Sequence, residues 1–394
     1  MKKSVTNQFT KFTFLAASVL MAGGMVSCSE DKNEIRVDEL SSKEHALQKA
    51  MLPYIEKTVV PTYRGMADNA ILMADACRDM LEAFEKGSLT ADMVKIAGEY
   101  WNLSRDYWEK SEAFLFGAAA DYNIDPHIDS WPLDKNAMDD LLVDLRNGRY
   151  WNIDNAGYGL LGFHAVEYML YELSEDENIS LTHNLNYKEE ELTYLCAVAE
   201  DLRNQCIYLE ASWAGIDNVT PEKRAILEEA ELYPSMNYGE MMINAGKAGS
   251  RYKTYQEAAE ELIQGCIDIA DEVGNTKIGR PVLGSSSEDK NYIESPYSLN
   301  SIADFTGNII SIRNAYCGIE RGDASVSDYI KSVNPELDSR LRSQIEEAID
   351  VISLIPEPFA KFAASDANAA KAVKVVGTDL VDVLEEVMTE ISRH

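Results

Sequence analysis

Histidine is scarce in this chain, with five in 394 residues, and none lies between His183 and His394. No HExxH string occurs, so the two-histidine zinc helix with its glutamate base is excluded. No CxxC pair occurs either, which leaves a zinc ribbon or a redox dithiol without support. The cysteines after Cys28 (Cys77, Cys196, Cys206, Cys266 and Cys317) are odd in number and fall in helical patterns, so they are expected mainly as free, buried thiols. Long period-two alternation is absent, which argues against an extended sheet. Positive charge is short, with 36 Lys and Arg against 67 Asp and Glu and a formal net charge of −31. Such a surface repels phosphate backbones and concentrates cations, so nucleic acid is not an expected partner.

The one long apolar run is at the start. Lys2, Lys3 and Lys11 precede an apolar stretch from Phe12 to about Val26, which ends at Met25-Val26-Ser27-Cys28. It is too short and too rich in small residues for a comfortable membrane span, and small residues leading into a cysteine form the pattern of a bacterial lipoprotein signal. Residues 1–27 are therefore expected to be a cleaved signal, with Cys28 lipidated. Acyl chains contribute about 0.8 kcal/mol per buried methylene, enough for a stable tether when two or more are present. Ser29-Glu30-Asp31 suits either a solvated tether or an acidic tag that directs a lipoprotein outward. The expected location is the outer membrane, on the periplasmic or the cell-surface face.

The rest reads as helix. Residues 28–43 form a polar tether, 44–215 an N-terminal helical bundle and 220–394 a C-terminal one. Apolar spacing predicts helices over 46–60, stopping before Pro61, and then over 63–84, 89–116, 134–146, 152–173 and 189–213. In the second half they are predicted near 222–230, 238–248, 254–273, 300–319, 336–354 and 368–392. The Gly-, Ser- and Pro-rich stretch 274–298 reads as a long loop. The fold class is all-α, two bundle-like halves with the second repeating the architecture of the first.

The most informative segment is Gly162-Phe163-His164-Ala165-Val166-Glu167. His164 and Glu167 are three apart and share a helix face, so their side chains can converge on one cation or pair with each other. Gly157, Gly159 and Gly162 are costly inside a helix, about 1 kcal/mol each, and permit close approach of a backbone or a ligand. Glu112 precedes a helix stop and is the best third ligand; an ion pair with an arginine such as Arg105 is its alternative. Asp304 and Asn308 share a face. Asn300 and Ser301 suit a helix cap or the site, and Tyr297 and Ser298 suit a cleft wall or a turn around Pro296. His127 is read as structural or exposed rather than as a ligand, and His45 and His183 as exposed.

The string Gly162 to Glu167 matches the GxHxxE signature of the imelysin family. The segment Trp108-Glu109-Lys110-Ser111-Glu112-Ala113-Phe114-Leu115-Phe116-Gly117 resembles that family's Glu-containing helix end, and Ile128-Asp129-Ser130-Trp131-Pro132 its following loop. Glu294-Ser295-Pro296-Tyr297-Ser298-Leu299-Asn300-Ser301, with Asp304 and Asn308, resembles the second-half motif. The resemblance covers roughly residues 45–390. It implies an all-α fold with a site between two halves and a link to iron acquisition; the name-giving members were described as peptidases. One imidazole with several carboxylates suits iron, manganese or zinc. The leading expectation is a lipoprotein that binds iron, or another metal such as zinc, or a metal complex, for uptake with iron-transport components. Its metal residues would be His164, Glu167 and Glu112. An imelysin-type metallopeptidase is the alternative. A third is a haem- or glycan-binding groove lined by Trp101, Tyr107, Trp108, Trp131, Tyr150, Trp151 and Tyr158.

Overall fold

Helix starts follow from short polar side chains. Ser41, Thr90, Asp134, Thr220, Thr254 and Asn334 each accept the backbone N–H three residues on, satisfying a donor that the first helical turn leaves open. The computed structural model describes residues 40–172 and 185–393. Residues 1–39, with Cys28 and most of the expected tether, lie outside the described residues, as do His183 and His394.

The elements that matter here are α1 (Ser42–Pro53), α2 (Val60–Glu85), α3 (Ala91–Glu109), α4 (Lys135–Arg146), α5 (Gly162–Glu167) and α6 (Glu189–Ala214). They are followed by α7 (Tyr255–Asp271), α8 (Ser301–Cys317), α9 (Val326–Val333), α10 (Pro335–Ser353) and α11 (Val381–Ser392). No strand occurs among the described residues, and none of their helices is long and apolar enough to cross a membrane. The fold is all-helical, as expected.

Helix α2 packs on α3 and α6, burying Tyr63, Met66, Ala67, Ala70, Met73 and Ala74 at helical spacing. In the second half α7 packs on α8 and α11, and α8 on α10. The two groups meet where α8 touches α3 and where the 3-10 turn Glu112–Phe114 touches α7 and α8. Helix α8 shows why its sequence is mixed. Ile302, Phe305, Ile309 and Ile312 are buried on it, and so are Asp304, Asn308 and Ser311. A helix buried on both its apolar and its polar side has a core on one flank and a polar site on the other. Small residues set the approach: a Cβ on Gly307 would lie 2.8 Å from Glu109 Cβ, and one on Gly265 2.3 Å from the Ala113 carbonyl oxygen.

Several expected boundaries moved. The helix does not stop before Pro61. It runs from α1 through a π-helical turn, Tyr54–Val59, into α2, where Pro61 sits in the first turn and owes no hydrogen bond. Thr62 Oγ1 donates to the Thr58 carbonyl at 2.7 Å. The expected helix over 152–173 is instead two 3-10 turns, Ile153–Asn155 and Tyr158–Leu160, followed by α5 and a π-helical turn, Tyr168–Glu172. The cause is Gly162, with φ +76° and so little room that a Cβ would fall 2.1 Å from the Ile128 carbonyl oxygen. The expected loop 274–298 begins inside the π-helical turn Glu272–Lys277 and contains the short helices Gly279–Leu283 and Ser287–Lys290. Helix α9, capped by Ser325, was not predicted. The five cysteines are free, four buried and Cys317 partly so.

Candidate metal centre

The site is built where α3, the turn after it, the loop before α5 and the loop before α8 converge. At its centre is Arg105, wholly buried on α3. Its guanidinium pairs with Asp129, with Glu109 at 2.5 Å, with Glu294 at 2.7 Å and, through Nε, with Asp304 at 3.5 Å. Lys277 approaches from the second half, 3.1 Å from Glu294 and 3.9 Å from both Glu109 and Glu112. Removing this much charge from water is costly unless the groups are paired, and here they are paired across the junction of the two halves.

His164 lies against these carboxylates. Its Nδ1 is 3.0 Å from Glu167 Oε2 and its Nε2 is 3.1 Å from Asp129 Oδ1. The Trp131 ring covers it at 4.7 Å between centroids. Glu167 is held from the other half: its Oε1 accepts from Tyr297 N (3.1 Å), Ser298 N (2.8 Å) and Ser298 Oγ (2.7 Å). Trp108 Nε1 donates to Asp129 Oδ2 at 2.7 Å. Asp304 accepts from Ser295 Oγ and Asn300 Nδ2, each at 2.5 Å, and Ser301 Oγ donates to the Glu294 carbonyl. Asn308 Nδ2 donates to Glu109 Oε2 at 2.5 Å. The loop that makes these contacts carries Ser295 at φ 47° and Leu299 at φ 62°, left-handed conformations that cost energy and are held by the surrounding bonds.

The electrostatics follow from burial and pairing. Burial opposes charge on His164, but its contacts with Asp129 and Glu167 outweigh this and push its pKa up to about 9. Burial works against the Asp129 carboxylate too, yet Arg105 and His164 hold it below the usual range. Glu109 and Glu112 are driven well above it by burial, against the pull of Arg105 on the former and Lys277 on the latter. Burial raises Asp304 to about 6 and Asp125 to about 7.

Asp129, His164 and Glu294 each place one ligand atom within 4.8 Å of the others, and so do Glu109, Glu112 and Asp129, and Glu109, Glu294 and Asp304. Glu294 Oε2 is buried and makes no hydrogen bond among the described residues, and His164 Nε2 is buried against Asp129. The donor set of one imidazole and several carboxylates fits a first-row metal such as iron, manganese or zinc.

The expected metal and cleft residues His164, Glu167, Glu112, Tyr297, Ser298, Asn300, Asp304 and Asn308 come together here. His164 and Glu167 do share a face, yet they bond to each other, and Glu167 is occupied by three donors from the opposite half. Glu112 sits on the far flank beside Lys277, neither next to His164 nor paired with Arg105. Tyr297, Ser298, Asn300 and Asn308 donate to carboxylates, and Asp304 is one of the carboxylates paired with Arg105. Asp129 and Glu294 were present in the family-like strings but not singled out; their signal was the string itself. Lys277 had none, lying in what reads as a loop. His127 is bonded to Asp201 at 2.7 Å and stacked by Tyr158, and His45 is exposed. The aromatics do not form one groove: Trp101 and Trp108 are wholly buried in the core, whereas Tyr150 is 91% exposed.

The chain is thus a helical protein with a buried cluster of carboxylates and one histidine where its two halves meet. The model of the family described as Imelysin matches residues 59–387, and the chain belongs to that family. It is similar to "Iron-regulated protein A" of Synechococcus elongatus, 26% identical over 309 residues that cover 77% of this chain and 75% of that protein. The crystal structure of a protein described as an iron-regulated protein A precursor, from Parabacteroides distasonis, superimposes with a TM-score of 0.73 at 26% identity, covering 90% of this chain and 97% of that one. An imelysin-like protein from Psychrobacter arcticum 273-4 shares the fold, with a TM-score of 0.63 at 13% identity over 90% of this chain and 96% of that one.

Proposed function

We infer that the protein binds iron, or a chemically similar transition metal, as cargo at the junction of its two halves. The observation that carries this reading is the buried convergence of Asp129, His164 and Glu294, with His164 Nε2 facing Asp129 Oδ1 at 3.1 Å and Glu294 Oε2 without a hydrogen bond among the described residues. Glu167 then acts behind the ligand set. It holds Nδ1–H of His164 and thereby directs the Nε2 lone pair at the cation, as a carboxylate behind a metal-bound histidine does. Arg105 neutralises the carboxylates when no cation is present. The iron-regulated names of the relatives favour iron.

Residues 1–28 extend this reading: a lipoprotein signal and an acylated Cys28 would hold the protein at the outer membrane, where it would pass cargo to iron-transport components. Membrane fractionation of a Cys28→Ala variant tests the anchor, and retention of that variant with the membrane would remove it. For the site, the test is anaerobic titration of the mature protein with Fe(II), alongside elemental analysis of protein purified without added metal. Weaker binding in His164→Ala and Glu294→Gln is expected. Unchanged affinity in both would end the proposal. Peptide hydrolysis is the weaker reading, because Glu167, the general base it would use, is already bonded on both oxygens. Chelator-sensitive cleavage of a peptide library would revive it.

A further inference from the structure

One buried cation inside the cluster is not used by the metal reading. Lys277 ends the π-helical turn Glu272–Lys277 and is 6% exposed. Its ammonium donates to Glu294 Oε1 at 3.1 Å and stands 3.9 Å from Glu109 and Glu112. The two fixed cations of the site differ in kind. Arg105 is a planar fork clamped by four carboxylates. Lys277 is a compact charge on a flexible four-carbon stem, with a single hydrogen bond among the described residues.

Its backbone is held by close packing and its ammonium by carboxylates. A Cβ on Gly274 would fall 2.2 Å from Gly377 Cα, so the π-helical turn is pressed against the turn Val375–Leu380. Asn275 Nδ2 also donates to the Gly377 carbonyl at 3.1 Å. Glu294 Oε1 is shared by both cations, whereas Oε2 has no hydrogen-bond partner among the described residues. Any multivalent cation that engages Glu294 meets the Lys277 ammonium a few ångströms away, where burial weakens screening.

We propose that Lys277 is a tethered counter-ion that the cargo displaces. It neutralises Glu294, Glu109 and Glu112 when the site holds no cargo. By competing for the same carboxylates it keeps binding weak enough for the cargo to be handed on. This rests on the cation-binding reading above and names its regulation. The test is titration of the full mature chain with Fe(II) under anaerobic conditions at pH 7.5, with stopped-flow release into a chelator. Lys277→Met is expected to bind at least ten-fold tighter and to release more slowly, whereas Lys277→Arg, which keeps the charge, stays at or below wild-type affinity. Lys277→Gln, which keeps a donor for Glu294, serves if the methionine variant does not fold, with the same expectation. Affinity in Met or Gln variants equal to or weaker than wild type, with native circular dichroism, overturns the proposal. Absence of binding by the wild type would instead overturn the cation reading itself.

Discussion

Glu167→Gln separates two arrangements of the same residues: a carboxylate that ligates beside His164, and one that acts through it. In the structure Glu167 Oε2 faces His164 Nδ1 at 3.0 Å, while Oε1 accepts three donors from the loop at Tyr297 and Ser298. A glutamine has one acceptor oxygen. The three loop donors will claim it, which turns the amide NH2 toward Nδ1 and forces the proton of a neutral imidazole onto Nε2, the atom needed for the metal. Loss of such a supporting contact typically costs 10–100-fold in metal affinity, or about 1.4–2.7 kcal/mol. The assay is Fe(II) titration of wild type, His164→Ala, Glu167→Gln and the double variant. If Glu167 acts through His164, the double variant binds no more weakly than His164→Ala alone. Additive losses would show that Glu167 contacts the metal independently and would refute the assignment.

Further outcomes follow from the same geometry. The raised pKa of His164, about 9 against about 6.5 unfolded, means the metal-free protein gains stability from the imidazolium. That gain is full below pH 6.5 and is lost as pH rises through 9, by up to about 3 kcal/mol. Urea unfolding across pH 6–10 should show the decline in wild type, and an equal decline in His164→Ala would contradict it. Arg105→Met strands four buried carboxylates and is expected to cost about 3–5 kcal/mol; a change under about 1 kcal/mol in chemical denaturation would mean that the cluster is not held by this guanidinium. Gly162→Ala combines φ +76° with a 2.1 Å clash on Ile128. It should lose both stability and metal binding, while Gly157→Ala, with nothing within 4 Å, stays within about 0.5 kcal/mol of wild type; equal melting of the two would refute the role given to Gly162.

The cargo and its handling depend on a balance of charge that no single residue sets. Among the described residues Glu109, Glu112, Asp129, Glu167, Glu294 and Asp304 face Arg105, Lys277 and a protonated His164 as cations. Burial favours the protonated forms of Glu109 and Glu112, so a bound cation displaces protons as well as ion pairs, and the buried pairs hold the cluster together without one.

What the sequence determined by itself was what short range decides. Apolar residues at helical spacing and capping Ser, Thr and Asp placed most helices, since both depend on neighbours three or four positions away. The spacing of His164 and Glu167 put them on one face for the same reason. Only the tertiary structure decided that Glu167 would be held by Ser298, 131 positions later, and that Arg105 would gather acids from both halves. It also decided that Gly162 would restart a helix under Ile128 and that Lys277 would leave a π-helical turn for the site. These outcomes depend on contacts between distant segments and on the need of buried charges for partners, neither of which leaves a local periodicity to read.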